Sequence, residues 1–136
     1  MKHEILIYNK TKRRVPKKFI ISVISKVLQF LKLKQPVEMA VLIVDKREIK
    51  RLNKFWRKVN ETPDELSFGL NSRQAGIFAN SNNAMLELGE IVLNAEKISD
   101  KKHLSKLLIH SLLHLLGYSH RQMERLEAEI SEYLKI

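Results

Sequence analysis

Apolar positions recur along this chain with two periods, and the switches between them predict its elements. Residues 3–8 form a first short strand. Pro16 suits the first turn of a helix, and Ile20, Val23, Ile24, Val27, Leu28 and Leu31 then recur at helical spacing until Pro36 closes the segment. The run VEMAVLIVD is short and β-branched, so it reads as a buried strand. Asp45 followed by Glu48 resembles a capping box opening a helix through about Lys58. On that helix Ile49, Leu52 and Trp56 share one face, while Lys46, Lys50, Lys54, Arg57 and Lys58 lie on another. A polar connection containing Pro63 follows, then the short strand pieces LSFGL and AGIFA and the firmer strand LGEIVLN. Ser99 or Asp100 can cap the next helix, and Gly117 suits the left-handed position that ends it. A last amphipathic helix runs from about Arg121 to Leu134, with Met123, Leu126, Ile130 and Leu134 facing inward.

The order β-α-β-α-β-β-α-α implies an α+β fold in one domain, residues 1–136, with a mixed sheet of about four strands covered by helices. The pattern carries no strand order. With 44% apolar residues the chain can bury a core, and its lack of cysteine excludes disulfides, thiolate metal sites and cysteine nucleophiles. That lack agrees with a cytoplasmic setting. No apolar run reaches the ~18 residues of a membrane span, and the N-terminus lacks the pattern of a signal peptide.

Charge changes the picture. Twenty-five Lys and Arg against fifteen acids leave a formal +10, which favours a polyanionic partner although it also fits a merely basic protein. The positive charge is concentrated in residues 10–18, which include Arg13 and Arg14, and in residues 46–58. Lys46, Lys50, Lys54, Lys58, Arg13 and Arg14 are therefore the candidate contacts to such a partner, a nucleic acid or an anionic membrane. Trp56 could stack a base, but its place beside Leu52 on the apolar stripe favours core packing.

The chemistry concentrates in LLIHSLLHLLGYSH. His110 and His114 lie at i and i+4, so both imidazoles leave one helical face a turn apart. Gly117 then permits a turn that can return His120 toward them. Three neutral nitrogen donors with a fourth position left for water is the pattern of a catalytic zinc site, one ion per chain; nickel or copper would also be accepted. His103, on the same stripe, is too far along the axis to join and is expected in solvent, and His3 looks incidental. The spacing also matches zincin-type metallopeptidases, but these need a glutamate directly after the first histidine, where this chain has Ser111. A metal on a basic domain instead suggests phosphodiester chemistry, with an arginine meeting the developing charge. Arg57 is one candidate among several cations.

HSLLHLLGYSH, LNKFWRKVNETPDELSF and LGEIVLN together resemble the YbeY family of metal-dependent endoribonucleases. The resemblance spans about residues 37–134. It implies that His110, His114 and His120 bind zinc and that Arg57 is the functional arginine. It further implies cleavage of single-stranded RNA in ribosomal RNA processing and ribosome quality control, association with the small ribosomal subunit, and a cytoplasmic location, with no membrane or DNA partner. The chain departs from the family pattern at four places: Ser111 for glycine, Ser119 for aspartate, Pro63-Asp64-Glu65 for Thr-Asp-Val, and Glu90 for aspartate. Two other functions compete: an RNA- or ribosome-binding assembly factor with a structural metal, and a zincin-type metallopeptidase.

Overall fold

The computed structural model describes residues 2–69 and 85–136. They form strands β1 (Glu4–Asn9), β2 (Val37–Val44), β3 (Glu65–Gly69) and β4 (Leu86–Asn94) and helices α1 (Lys17–Phe30), α2 (Lys46–Arg57), α3 (Lys101–Leu115) and α4 (His120–Leu134), in the chain order β1-α1-β2-α2-β3-β4-α3-α4. The α+β class and the mixed four-stranded sheet match expectation. The strand piece AGIFA lies outside the described residues.

The sheet order is β1-β2-β4-β3. β1, β2 and β4 run parallel, and β3 pairs antiparallel with β4 at the edge. Each parallel crossover needs a connection long enough to hold a helix, and α1 supplies one between β1 and β2. Strand alternation then divides the sheet between two cores. Val41, Ile43, Ile91 and Leu93 pack with Ile20, Ile24, Leu108 and Leu112, so α1, α3 and α4 cover one face. Val44, Val92 and Leu66 turn the other way and meet Ile49, so α2 covers the opposite face.

Local chemistry sets the helix ends. Pro16 is the residue before α1, and Asp100 caps α3 by accepting the amides of Lys102 and His103. Asp45 caps α2 through the Glu48 amide at 2.8 Å, but the Glu48 carboxylate accepts from Arg51, so only half of the expected capping box forms. A full capping box appears instead at α4, between Ser119 and Gln122. The helix therefore begins at His120, one residue earlier than the periodicity suggests.

Two glycines have positive φ. Gly117, at φ 87°, follows α3 and turns the chain toward α4, as its spacing predicts. Gly89, at φ 121°, sits where β3 crosses closely, and a Cβ there would lie 2.1 Å from the Phe68 carbonyl oxygen. The register between β2 and β4 shifts at the same point.

Candidate active site

The edge strand β3 organises the site. Its residues alternate, so Leu66 and Phe68 join the α2 face while Glu65 and Ser67 turn toward α3. His114 and Ser67 share a hydrogen bond of 2.8 Å through Nδ1. One turn earlier, the Nδ1–H of His110 donates to Glu127 of α4 at 2.6 Å. Both rings are exposed. These partners engage Nδ1 on both rings, and among the described residues neither Nε2 has a hydrogen-bond partner. Metal-binding histidines characteristically engage one ring nitrogen with a carboxylate or similar group, which fixes ring and tautomer and frees the other nitrogen. The donor chemistry of this pair fits a metal.

His120 is exposed as the first residue of α4, only two residues beyond Tyr118. In the arrangement seen, no three His, Cys, Asp or Glu side chains among the described residues are placed to hold one ion together. The three expected ligands thus share one end of α3 and the start of α4 without converging.

Ser111 and Glu65 are connected. The Ser111 side chain is fully buried, and its hydroxyl donates to the Glu65 carboxylate. Ser111 and Glu65 therefore satisfy each other across the helix–strand contact. A bulkier helix residue gains a partner, and a carboxylate on the inner face of an edge strand gains a donor. Ser119, in place of aspartate, keeps the helix-capping function. The departures at positions 65, 111 and 119 each have a structural role.

His103 is not free in solvent, as its place on the helix suggests: its Nε2 bonds to Asp64 at 2.9 Å. His3 is not incidental either. Its Nδ1 accepts the Val37 amide at 2.9 Å, and burial lowers its pKa below the usual histidine range. Sequence reasoning also misses two buried asparagines. Asn53 donates to the Glu61 carbonyl oxygen, and Asn94 donates to that of Pro63 while its own amide reaches the Asp64 oxygen. Together they fix the connection leading into β3. Among the described residues the buried Asn53 Oδ1 has no hydrogen-bond partner.

Arg57 ends α2 and is exposed, with no hydrogen bond or ion pair among the described residues. It belongs to the opposite sheet face from the histidines, but β3 joins the two. Phe68 lies 6.2 Å from Trp56, the neighbour of Arg57, and Ser67 beside it reaches His114. Trp56 is not packed in the core as its periodicity predicts; it is 62% exposed. The basic residues separate into two groups. Arg13 and Arg14 line a pocket with Ile98, Ser99 and Lys101 at the start of α3. At 1.5 Å per residue that lies ~20 Å along the helix from His114. Lys46 pairs with Glu96 at 3.7 Å, whereas Lys54, Arg57 and Lys58 cluster at the far end of α2, with Lys50 exposed between them. Among the described residues no helix is long and apolar enough to cross a membrane.

Fold and site together define an α+β protein whose histidine-bearing helix is laid against the antiparallel edge of its sheet. The family model for Endoribonuclease YbeY matches residues 6–135. Similar curated proteins include Endoribonuclease YbeY of Thermodesulfovibrio yellowstonii, 31% identical, with 96% of each chain covered. Endoribonuclease YbeY of Persephonella marina is also 31% identical, over 87% of this chain and 78% of the relative. The solution structure of TM1509 from Thermotoga maritima shares the fold, with a TM-score of 0.53 at 21% identity over 96% of this chain and 91% of that one. The chain belongs to the Endoribonuclease YbeY family.

Proposed function

We propose that this protein is a zinc-dependent endoribonuclease specific for single-stranded RNA, acting in the cytoplasm on ribosomal RNA of the small subunit. The observation that carries the metal assignment is the paired engagement of Nδ1 on His110 and His114, by Glu127 and Ser67. His110, His114 and His120 would hold the ion through their remaining nitrogens. When bound, zinc supplies Lewis-acid polarisation and a water whose pKa falls toward ~7.

The rest of the chemistry falls to the chain's own residues. Glu127 keeps the proton of His110 on Nδ1, so that Nε2 presents a lone pair. Ser67 orients the second ring from the edge strand. Arg57 carries a permanent charge and a planar fork of donors, and among the described residues it pairs with no carboxylate. It is suited to a phosphate oxygen gaining charge as the phosphodiester breaks. The lysines beside it on α2 hold the polyanion, an attraction that weakens steeply with salt.

A second reading, an assembly factor that binds RNA without cutting it, would rest on the basic charge of the chain alone. Incubation of zinc-loaded protein with single-stranded RNA separates the two. The nuclease reading predicts cleavage that is lost in both His114→Ala and Arg57→Ala. Binding without cleavage, unchanged by Arg57→Ala, supports the assembly factor.

A further inference from the structure

The α2 face of the sheet contains an uncommitted feature. Leu42, Val44 and Val92 floor an open groove of about 620 Å³, walled by Leu52, Trp56 and Phe68. At its rim Trp56 is 62% exposed and Phe55 58% exposed. The three rings form a row, with centroids 4.9 Å apart between Phe55 and Trp56 and 6.2 Å apart between Trp56 and Phe68. Solvent-exposed apolar patches of this kind mark binding surfaces more often than chance exposure does.

Charge identifies the occupant. Lys54, Arg57 and Lys58 stand beside the aromatic row, and Lys10 borders the groove. Lys58 approaches the face of Phe55 at 5.7 Å from its centroid. Of the acids in the groove, Glu48 is already bound by Arg51 through two contacts of 2.8 Å, leaving Glu90. A cationic rim around flat exposed rings repels basic peptides and attracts a polyanion that also carries π-faces. Single-stranded nucleic acid has both, and its bases stack on aromatic side chains with little regard to sequence. The Glu90 carboxylate would turn phosphates away from the groove and accept from an exocyclic amine of a base.

We propose that Trp56 and its neighbouring rings form a stacking subsite for an unpaired RNA base, on the sheet face opposite the histidines. The proposal deepens the ribonuclease reading and rests on it. The base enters the groove, its phosphates follow the cations of α2, and Arg57 marks where the strand turns across β3 toward His114. The subsite selects single strands, because a base held in a duplex cannot present its face to Trp56.

Trp56 is the only tryptophan in the chain, so its emission reports this site alone. The test is to titrate the protein in a chelating buffer, which suppresses metal-dependent cleavage, with a short unstructured oligouridylate. An abasic strand of equal length and charge is titrated in parallel. The expected result is quenching by the oligouridylate and little by the abasic strand, with affinity reduced roughly 5- to 150-fold in Trp56→Ala and only in part in Trp56→Phe. Quenching with no RNA cleavage under any metal would overturn the nuclease reading and leave the subsite standing. Equal response to both strands, or unchanged affinity in a folded Trp56→Ala, would overturn the subsite. So would an emission shift produced by an uncharged apolar peptide and not by RNA.

Discussion

The two faces of the sheet share the same strands and are finished differently. One is sealed by three helices, with Leu108, Leu112, Ile91 and Leu93 inaccessible to solvent. The other carries, among the described residues, a single helix whose stripe is fully buried at Ile49, half-buried at Leu52 and open at Trp56. The sealed face gives α3 a rigid bed, so the histidines on its outer side are held by packing beneath them. The open face leaves aromatic surface and cations in water. Stability and recognition are thus assigned to opposite sides, with edge strand β3 contributing to both.

Truncation should expose the difference most strongly. Leu112→Ala, in the sealed core, is expected to cost about 2–5 kcal/mol in chemical denaturation. Leu52→Ala, on the open face, should cost about 1 kcal/mol, since its side chain is only half removed from water. Equal losses would show that the α2 face is covered more completely than the structure describes.

The contact between Ser111 and Glu65 sharpens the comparison at the seam between helix and strand. Ser111→Gly or Glu65→Val alone should destabilise by about 1.5–3 kcal/mol, the range for a hydrogen bond to a charged group. The double variant removes donor and acceptor together and leaves neither one buried without a partner, so its loss should fall well below the sum of the two. A coupling of about 0.5 kcal/mol or more in the double-mutant cycle supports the compensation, and strict additivity contradicts it.

The smallest expected effect is pH-dependent and lies at the other end of the sheet. His3 is neutral when it accepts the Val37 amide, and burial depresses its pKa. The unfolded chain therefore binds this proton more readily than the folded one. The contribution is complete above the unfolded value near 6.5 and is lost as pH falls toward the lower folded value. Denaturation midpoints across that window should drop for the wild type and stay flatter for His3→Gln.

Much of this was legible in the chain and some was not, for reasons tied to particular residues. Periodicity located the four helices and four strands, because each element buries one face and the spacing records it. Trp56 misled because a helical stripe shows which side faces the sheet but not where the sheet ends; beneath Trp56 lies the edge residue Phe68. Glu48 completed a plausible capping pattern, yet Arg51 one turn on offered a stronger partner. The histidine pair was visible as spacing, but its supports were not. Ser67 and Glu127 reach it only because β3 is placed beside β4 and α4 folds back on α3. No local pattern encodes that placement. Asn53 and Asn94 escaped notice because a buried amide looks like any loop asparagine until its carbonyl partners are known.

Three imidazoles from α3 and α4 are proposed to serve one zinc ion, and elemental analysis of purified protein is the sharpest check on that set. The expected content is about one zinc per chain in the wild type, with marked loss in His120→Ala as well as in His114→Ala. A zinc content indifferent to His120→Ala, in a variant that remains folded, would contradict it.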